Sequence, residues 1–242
     1  MTMQYNPAIK GLRVAVTGGT SGLGLALVRR LTAAGARVAF VARSAADVER
    51  TATETGAVGI VGDVGRKDDI YPMALQITGN LGGLDVLINN ASTLGPTPLV
   101  LLADTECEHL EEALSVNVVG PFRLTKALYG ALASSARDGR GGTVVNISSD
   151  AALNAYPEWG AYGASKAALR HMTSIWDEES RDAGIRFLSV DPGDMDTPLH
   201  ALADPDSDPS TLKRPADSAA EVIDAVLTAH PNNNVATHGV RS

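Results

Sequence analysis

The stretch Thr17-Gly18-Gly19-Thr20-Ser21-Gly22-Leu23-Gly24 joins a short apolar run, residues 13–17, to a helical pattern carried by Leu25, Ala26, Leu27, Val28 and Leu31. Glycines allow a tight turn and a close backbone approach. The helix that follows offers unpaired N–H groups and the positive end of its dipole. After a first strand this combination reads as a pyrophosphate cradle, with Gly18, Thr20, Ser21, Gly22, Leu23 and Gly24 as candidate contacts. The spacing differs from the commoner G-x-G-x-x-G fingerprint, and a turn of this kind can also use glycine for geometry alone.

Outward from this turn, short β-branched runs alternate with longer helical patterns. Strands are expected at 13–17, 37–42, 58–62, 84–89, 143–147 and 186–191, and helices at 22–34, 45–54, 68–80, 105–136 and 160–183. Strands alternating with helices build a parallel sheet covered on both faces, a doubly wound α/β Rossmann fold. No composition shift or low-complexity linker divides residues 1–242, so one domain is expected. In such sheets ligands lie beyond the carboxyl ends of the strands, and functional residues are sought there.

One such position precedes Tyr162-Gly163-Ala164-Ser165-Lys166, at the start of a helical pattern through Ala167, Ala168, Leu169, Met172, Ile175 and Trp176. Residues four apart share a helix face, so the Lys166 ammonium is expected beside the Tyr162 phenol, lowering its pKa toward neutrality for proton exchange. The strand at 143–147 runs into Ser148 and Ser149, which brings a hydroxyl toward that helix start.

Composition limits the partners. A net charge of −8 without clustered Lys and Arg argues against nucleic acid and against an acidic membrane surface. No apolar run approaches membrane-spanning length, and no signal peptide is read. Cys107 is the only cysteine, so no intramolecular disulfide forms, and the residue reads as inert. The expectation is a soluble cytoplasmic protein. His109, His171, His200, His230 and His238 are scattered without the paired spacing of a zinc site, so no metal is expected.

These motifs, in order and spacing, resemble the short-chain dehydrogenase/reductase family in its compact single-domain branch, over residues 10–229. The family's T-G-x-x-x-G-x-G corresponds to Thr17–Gly24, its acidic residue after the third strand to Asp63 with Val64, and its N-N-A-G to Asn89-Asn90-Ala91 with Ser92 in place of glycine. Its catalytic asparagine, serine, tyrosine and lysine fall on Asn117, Ser149, Tyr162 and Lys166, and its P-G-x-x-x-T on Pro192, Gly193 and Thr197. Ser148 is a rival to Ser149, but the family interval to tyrosine selects the second serine. Read alone, Asp63 is also a loop cap and Asn89 a strand-end hydrogen bonder.

The resemblance implies hydride transfer between a nicotinamide cofactor and a small carbonyl or alcohol. Ser149 then binds the substrate oxygen, Tyr162 exchanges its proton, Lys166 holds the nicotinamide ribose, and Asn117 completes a relay to solvent. Pro121 has no N–H for the Asn117 carbonyl four residues earlier, so a helix kinked there leaves that oxygen free to hold a water. Alternatively, Gly120-Pro121 ends one helix and starts another. The resemblance also implies a homodimer or homotetramer, although the tail after His230 lacks the family's glycine-rich segment and offers only a short strand near 234–237. Other classes considered are a sugar-nucleotide epimerase or dehydratase and a non-catalytic dinucleotide sensor.

The second strand ends Val41-Ala42-Arg43-Ser44, where NAD sites usually carry a carboxylate about twenty residues past the glycine loop. Arg43, with Ser44, therefore favours NADP(H), with NAD(H) as the alternative if Asp47 substitutes for the missing acid. Residues 194–214, rich in Pro and Asp with a short helix at 199–202, are expected to form a mobile substrate lid. In it Thr197 touches the cofactor while Met195, Leu199, His200 and Leu202 cover the substrate. The acids Asp194 and Asp196 either face a basic substrate group or are solvated loop residues.

Overall fold

A computed structural model of the chain describes residues 7–230. Six parallel strands form one sheet: β1 (Arg13–Thr17), β2 (Arg37–Ala42), β3 (Val58–Val61), β4 (Val86–Asn89), β5 (Gly142–Ile147) and β6 (Ile185–Val190). Their spatial order is β3-β2-β1-β4-β5-β6, so the winding reverses between β1 and β4. A ligand site is expected at that switch point. The sheet and its helices match the expected doubly wound architecture, with strand ends shifted by two residues at most. The expected strand near 234–237 lies outside the described residues.

Buried strand residues such as Val16, Phe40, Leu87 and Val144 form a near-continuous apolar layer because both faces of the sheet are covered. On one face pack α1 (Gly22–Ala33), α2 (Ala45–Thr55) and α8 (Pro215–Ala229), through Leu27, Val28, Val48, Val222 and Val226. On the other pack α3 (Lys67–Leu81), α5 (Gly120–Arg137) and α6 (Gly160–Glu179), through Met73, Ile77, Leu124, Leu128 and Trp176. Helix α8 escaped the sequence reading. Its signals were present in Pro215 at the first turn and the spacing Ala219, Val222, Ile223, Val226.

The expected helix over 105–136 is instead α4 (Cys107–Leu114), a π-helical stretch at Ser115–Val119, and α5. The wider turn pairs the Gly120 N–H with the Ser115 carbonyl, so the helical path continues through Gly120-Pro121 rather than stopping there. Cys107 is exposed with a free thiol. The short helix α7 (Pro198–Ala203) extends the expected 199–202 by one residue at each end. No helix among the described residues is long and apolar enough to cross a membrane.

Candidate active site

The glycine turn is a cradle that side chains would fill. Gly18 has φ of 70°, in the left-handed region. A Cβ at Gly24 would lie 2.0 Å from the Gly18 carbonyl oxygen, so α1 can start this close to the turn only with glycine there. Ser21 caps α1 without a side-chain hydrogen bond, which leaves first-turn N–H groups available to an anion. The turn is tied to β4 by Thr17, whose Oγ1 accepts from the Asn90 and Ala91 N–H groups at 3.0 Å each. The Asn90 side chain returns a hydrogen bond to the Thr17 carbonyl at 2.9 Å. Asn90 thus braces the cradle as well as lining it; the motif spacing placed it there without revealing its bond to Thr17.

A cleft of about 1260 Å³ runs from this cradle across the carboxyl ends of the strands. It brings together all the expected catalytic side chains except Asn117, together with every expected cofactor contact except Gly24, which lies beneath the turn. Asp63 closes its own loop by accepting from the Gly65 N–H at 2.8 Å, and Asn89 sits below the cleft, donating to Asn146 Oδ1 at 2.8 Å. Both bland readings of these residues therefore hold as far as their hydrogen bonds go. Arg43 is exposed at the end of β2, and no ion pair among the described residues uses it. Asp47 is held by Arg50 at 2.5 Å, while its N–H donates to Ser44 Oγ, the cap of α2. These residues fit a dinucleotide: the glycine turn and the uncapped start of α1 suit a pyrophosphate, and the exposed Arg43 beside Ser44 suits a further phosphate or hydroxyl.

At the other end of the cleft, the Ser149 hydroxyl lies near the Tyr162 phenol. It accepts from the Ala151 N–H at 3.2 Å and donates to Asp150 at 3.1 Å. Tyr162 is 8% exposed, and burial pushes its phenol up to about 12, against the opposing influence of the Ser149 hydroxyl. The carboxylates of Asp191, Asp150 and Asp194 act in the same direction as burial. Lys166, 2% exposed, donates to the Ile147 carbonyl at 2.8 Å, and its Nζ lies over the Tyr162 ring, 5.4 Å from the centroid. Burial pushes it down to about 8. Helical spacing does bring the two together, but the ammonium sits at the ring face rather than at the hydroxyl. The expected lowering of the phenol is therefore not what this geometry produces; desolvation outweighs it.

Asn117 is 1% exposed, and its side chain is fully occupied. Oδ1 accepts from Ser92 Oγ at 3.0 Å and from the Thr93 N–H at 2.9 Å, while Nδ2 donates to the Thr93 carbonyl at 2.8 Å and to Ser165 Oγ at 2.9 Å. The serine that replaces the family glycine is thus accommodated by donating to Asn117. Ser148 Oγ, the rival hydroxyl, is buried without a partner among the described residues. Thr197 caps α7, accepting from the His200 N–H at 3.2 Å, and a Cβ at Gly22 would sit 3.1 Å from its methyl.

The cleft also takes in Met195, Leu199, His200 and Leu202, as expected, but the sequence reading missed other residues that wall it. Leu94, Trp159 and Ala203 wall it beside Leu199, and the Trp159 ring meets Tyr162 edge-on with centroids 5.7 Å apart. His109 and His200, distant in sequence, share this cavity. Loops lacking periodicity carry Leu94 and Trp159, so no pattern announced them.

Comparison with known proteins agrees with this geometry. Residues 13–208 match the family model described as short chain dehydrogenase. An uncharacterized oxidoreductase of Mycobacterium bovis is 33% identical over 202 residues, 80% of this chain; the aligned region spans 58% of that longer protein. A 3-ketoacyl-(acyl-carrier-protein) reductase from Brucella melitensis, complexed with NADH, superposes with a TM-score of 0.83 at 28% identity, over 90% of this chain and 91% of its own. A short chain dehydrogenase from Escherichia coli, complexed with NADPH, superposes with a TM-score of 0.79 at 28% identity, over 88% and 89%. With its cradle, its Ser-Tyr-Lys cluster and these relatives, the chain belongs to the short-chain dehydrogenase/reductase family of nicotinamide-dependent oxidoreductases.

Proposed function

We propose that the protein is an NADPH-dependent carbonyl reductase, also able to act as an alcohol dehydrogenase, on a small-molecule substrate. The observation that carries this reading is the meeting of Ser149, Tyr162 and Lys166 in one dinucleotide-sized cleft, with Lys166 over the Tyr162 ring. When bound, the nicotinamide supplies the hydride. Ser149 orients the substrate oxygen with its hydroxyl. Tyr162, protonated at neutral pH because its phenol is pushed up to about 12, donates its proton to that oxygen. Lys166, anchored on Ile147, holds the ribose and keeps a positive charge beneath the phenol as it loses its proton. Asn117 fixes Ser165 and so the first turn of α6, since Ser165 Oγ also donates to the Tyr162 carbonyl at 2.7 Å. Its main-chain carbonyl, without an N–H from Pro121, supports the water of the relay.

Preference for NADPH rests on Arg43, which is free to pair with a 2′-phosphate, and on Asp47, which is committed to Arg50. The same proposal makes the protein a cytoplasmic homodimer or homotetramer, supported by the lone cysteine and the family resemblance. Consumption of NADPH, with NADH in parallel, over aldehydes, ketones and quinones tests the activity; no consumption on any of them would leave a dinucleotide sensor. Arg43→Glu is expected to reverse the cofactor preference. A wild type that prefers NADH, and keeps that preference in the variant, refutes the assignment of Arg43.

A further inference from the structure

Resting on that proposed activity, we infer that the substrate is a compact apolar carbonyl or alcohol without negative charge, and that the cleft discriminates against carboxylate and phosphate-bearing substrates. Two features of the substrate end carry this. The first is its wall. Leu94, Ala151 and Tyr162 form a buried cluster that Leu99, Trp159, Leu199 and Ala203 pack against. The Trp159 ring, edge-on to Tyr162 and lining the cleft, adds an apolar ring to this wall. A substrate seated there gains by burying apolar atoms against side chains already in place.

The second feature is charge. Among the described residues only two Lys or Arg side chains line the cleft, and neither serves the substrate. Arg43 stands at the end of β2, at the adenosine end, and Lys166 is buried on the Ile147 carbonyl. The part of the cleft around Tyr162 instead carries Asp150 and Asp194, with Asp204 beside Ala203. Asp150, Asp194 and Asp191 are near enough to raise the Tyr162 phenol through space. A carboxylate next to that hydroxyl would be desolvated and would meet three like charges against the single Lys166 ammonium, which is already committed to the Ile147 carbonyl. A positive group at the far end of the substrate would meet these acids favourably. The ranking follows: cation at least equal to neutral, and both above anion.

Three probes of one shape test this: acetophenone, 4-acetylbenzoate and (4-acetylphenyl)trimethylammonium, titrated by calorimetry into the full chain with and without NADPH. Acetylbenzoate is expected to bind roughly tenfold or more weakly than acetophenone, a difference set by like-charge repulsion at short range. In Asp194→Asn the gap between the two probes is expected to narrow by at least about threefold, as one of several carboxylates is removed. Acetylbenzoate binding as tightly as acetophenone, or no binding by any of the three, overturns the inference. The readout is binding, so the two proposals fail separately. Neutral binding without NADPH consumption defeats the reductase reading alone, and turnover with acetylbenzoate preferred defeats this inference alone.

Discussion

At the scale of single residues, Tyr162 and Lys166 divide the proton chemistry through burial. The phenol is pushed up to about 12 and the ammonium down to about 8, because both leave water when α6 packs on the sheet. Tyr162→Phe removes the donor but keeps the ring that meets Trp159, so cofactor affinity is expected within a few-fold of wild type. Turnover is expected to fall by the 10²–10⁴-fold that a positioned acid typically contributes. Retention of more than about a tenth of the rate would show that another group gives the proton. The Tyr–Lys pair was legible because a spacing of four is a geometric fact of helices. The site around it was not. Trp159 precedes the helix in an irregular segment, and the acids Asp150 and Asp191 stand beside Tyr162 only through the folding of two strand ends.

Elements show the same division between pattern and packing. The glycine turn could be placed from sequence because each glycine answers a backbone demand, as the 2.0 Å approach at Gly24 shows. The π-helical stretch at 115–119 could not, since a single wide turn is rare and carries no residue signature of its own. Helix α7 belongs to the first kind, with Thr197 as its cap and Pro198 in its first turn. Its flanks are joined by a bridge between Met195 and Lys213, where the Lys213 N–H donates to the Asp194 carbonyl at 3.0 Å. The excursion of residues 196–212 is therefore pinned at its base, while Leu199 and Ala203 pack on the cluster around Tyr162. We propose that this excursion is the substrate lid. Hydrogen exchange of residues 195–212 is expected to slow when NADPH and a substrate analogue bind together, with the 213–214 base changing little. Identical exchange in both states would make the segment a fixed wall.

Across the whole molecule, chemistry and anchoring lie at opposite edges of the sheet. The cleft occupies the carboxyl edge; at the amino edge Asp85, with 0% exposure, gathers β1, α5 and the loop before β5. It accepts from the Arg13 N–H at 2.8 Å and the Arg13 guanidinium at 2.6 Å, from Arg140 at 2.9 Å, and from Ser135. Burial alone would raise this carboxyl, but the two arginines and Ser135 together hold it well below the usual carboxylate range. The folded chain therefore binds fewer protons here than the unfolded chain just below pH 3.8, and Asp85 contributes stability that is full above that pH and lost as pH falls. Asp85→Asn leaves two arginines facing a neutral group. The expected cost at pH 7 is about 3 kcal/mol, at the low end for breaking a buried pair because Arg140 still reaches water. Urea unfolding of both chains measures it, and the gap between them is expected to shrink from pH 5 to pH 3. Dinucleotide affinity at pH 7 is expected to stay unchanged, because no Asp85 partner lines the cleft. A gap independent of pH would mean that Asp85 acts by shape and hydrogen bonding rather than by charge.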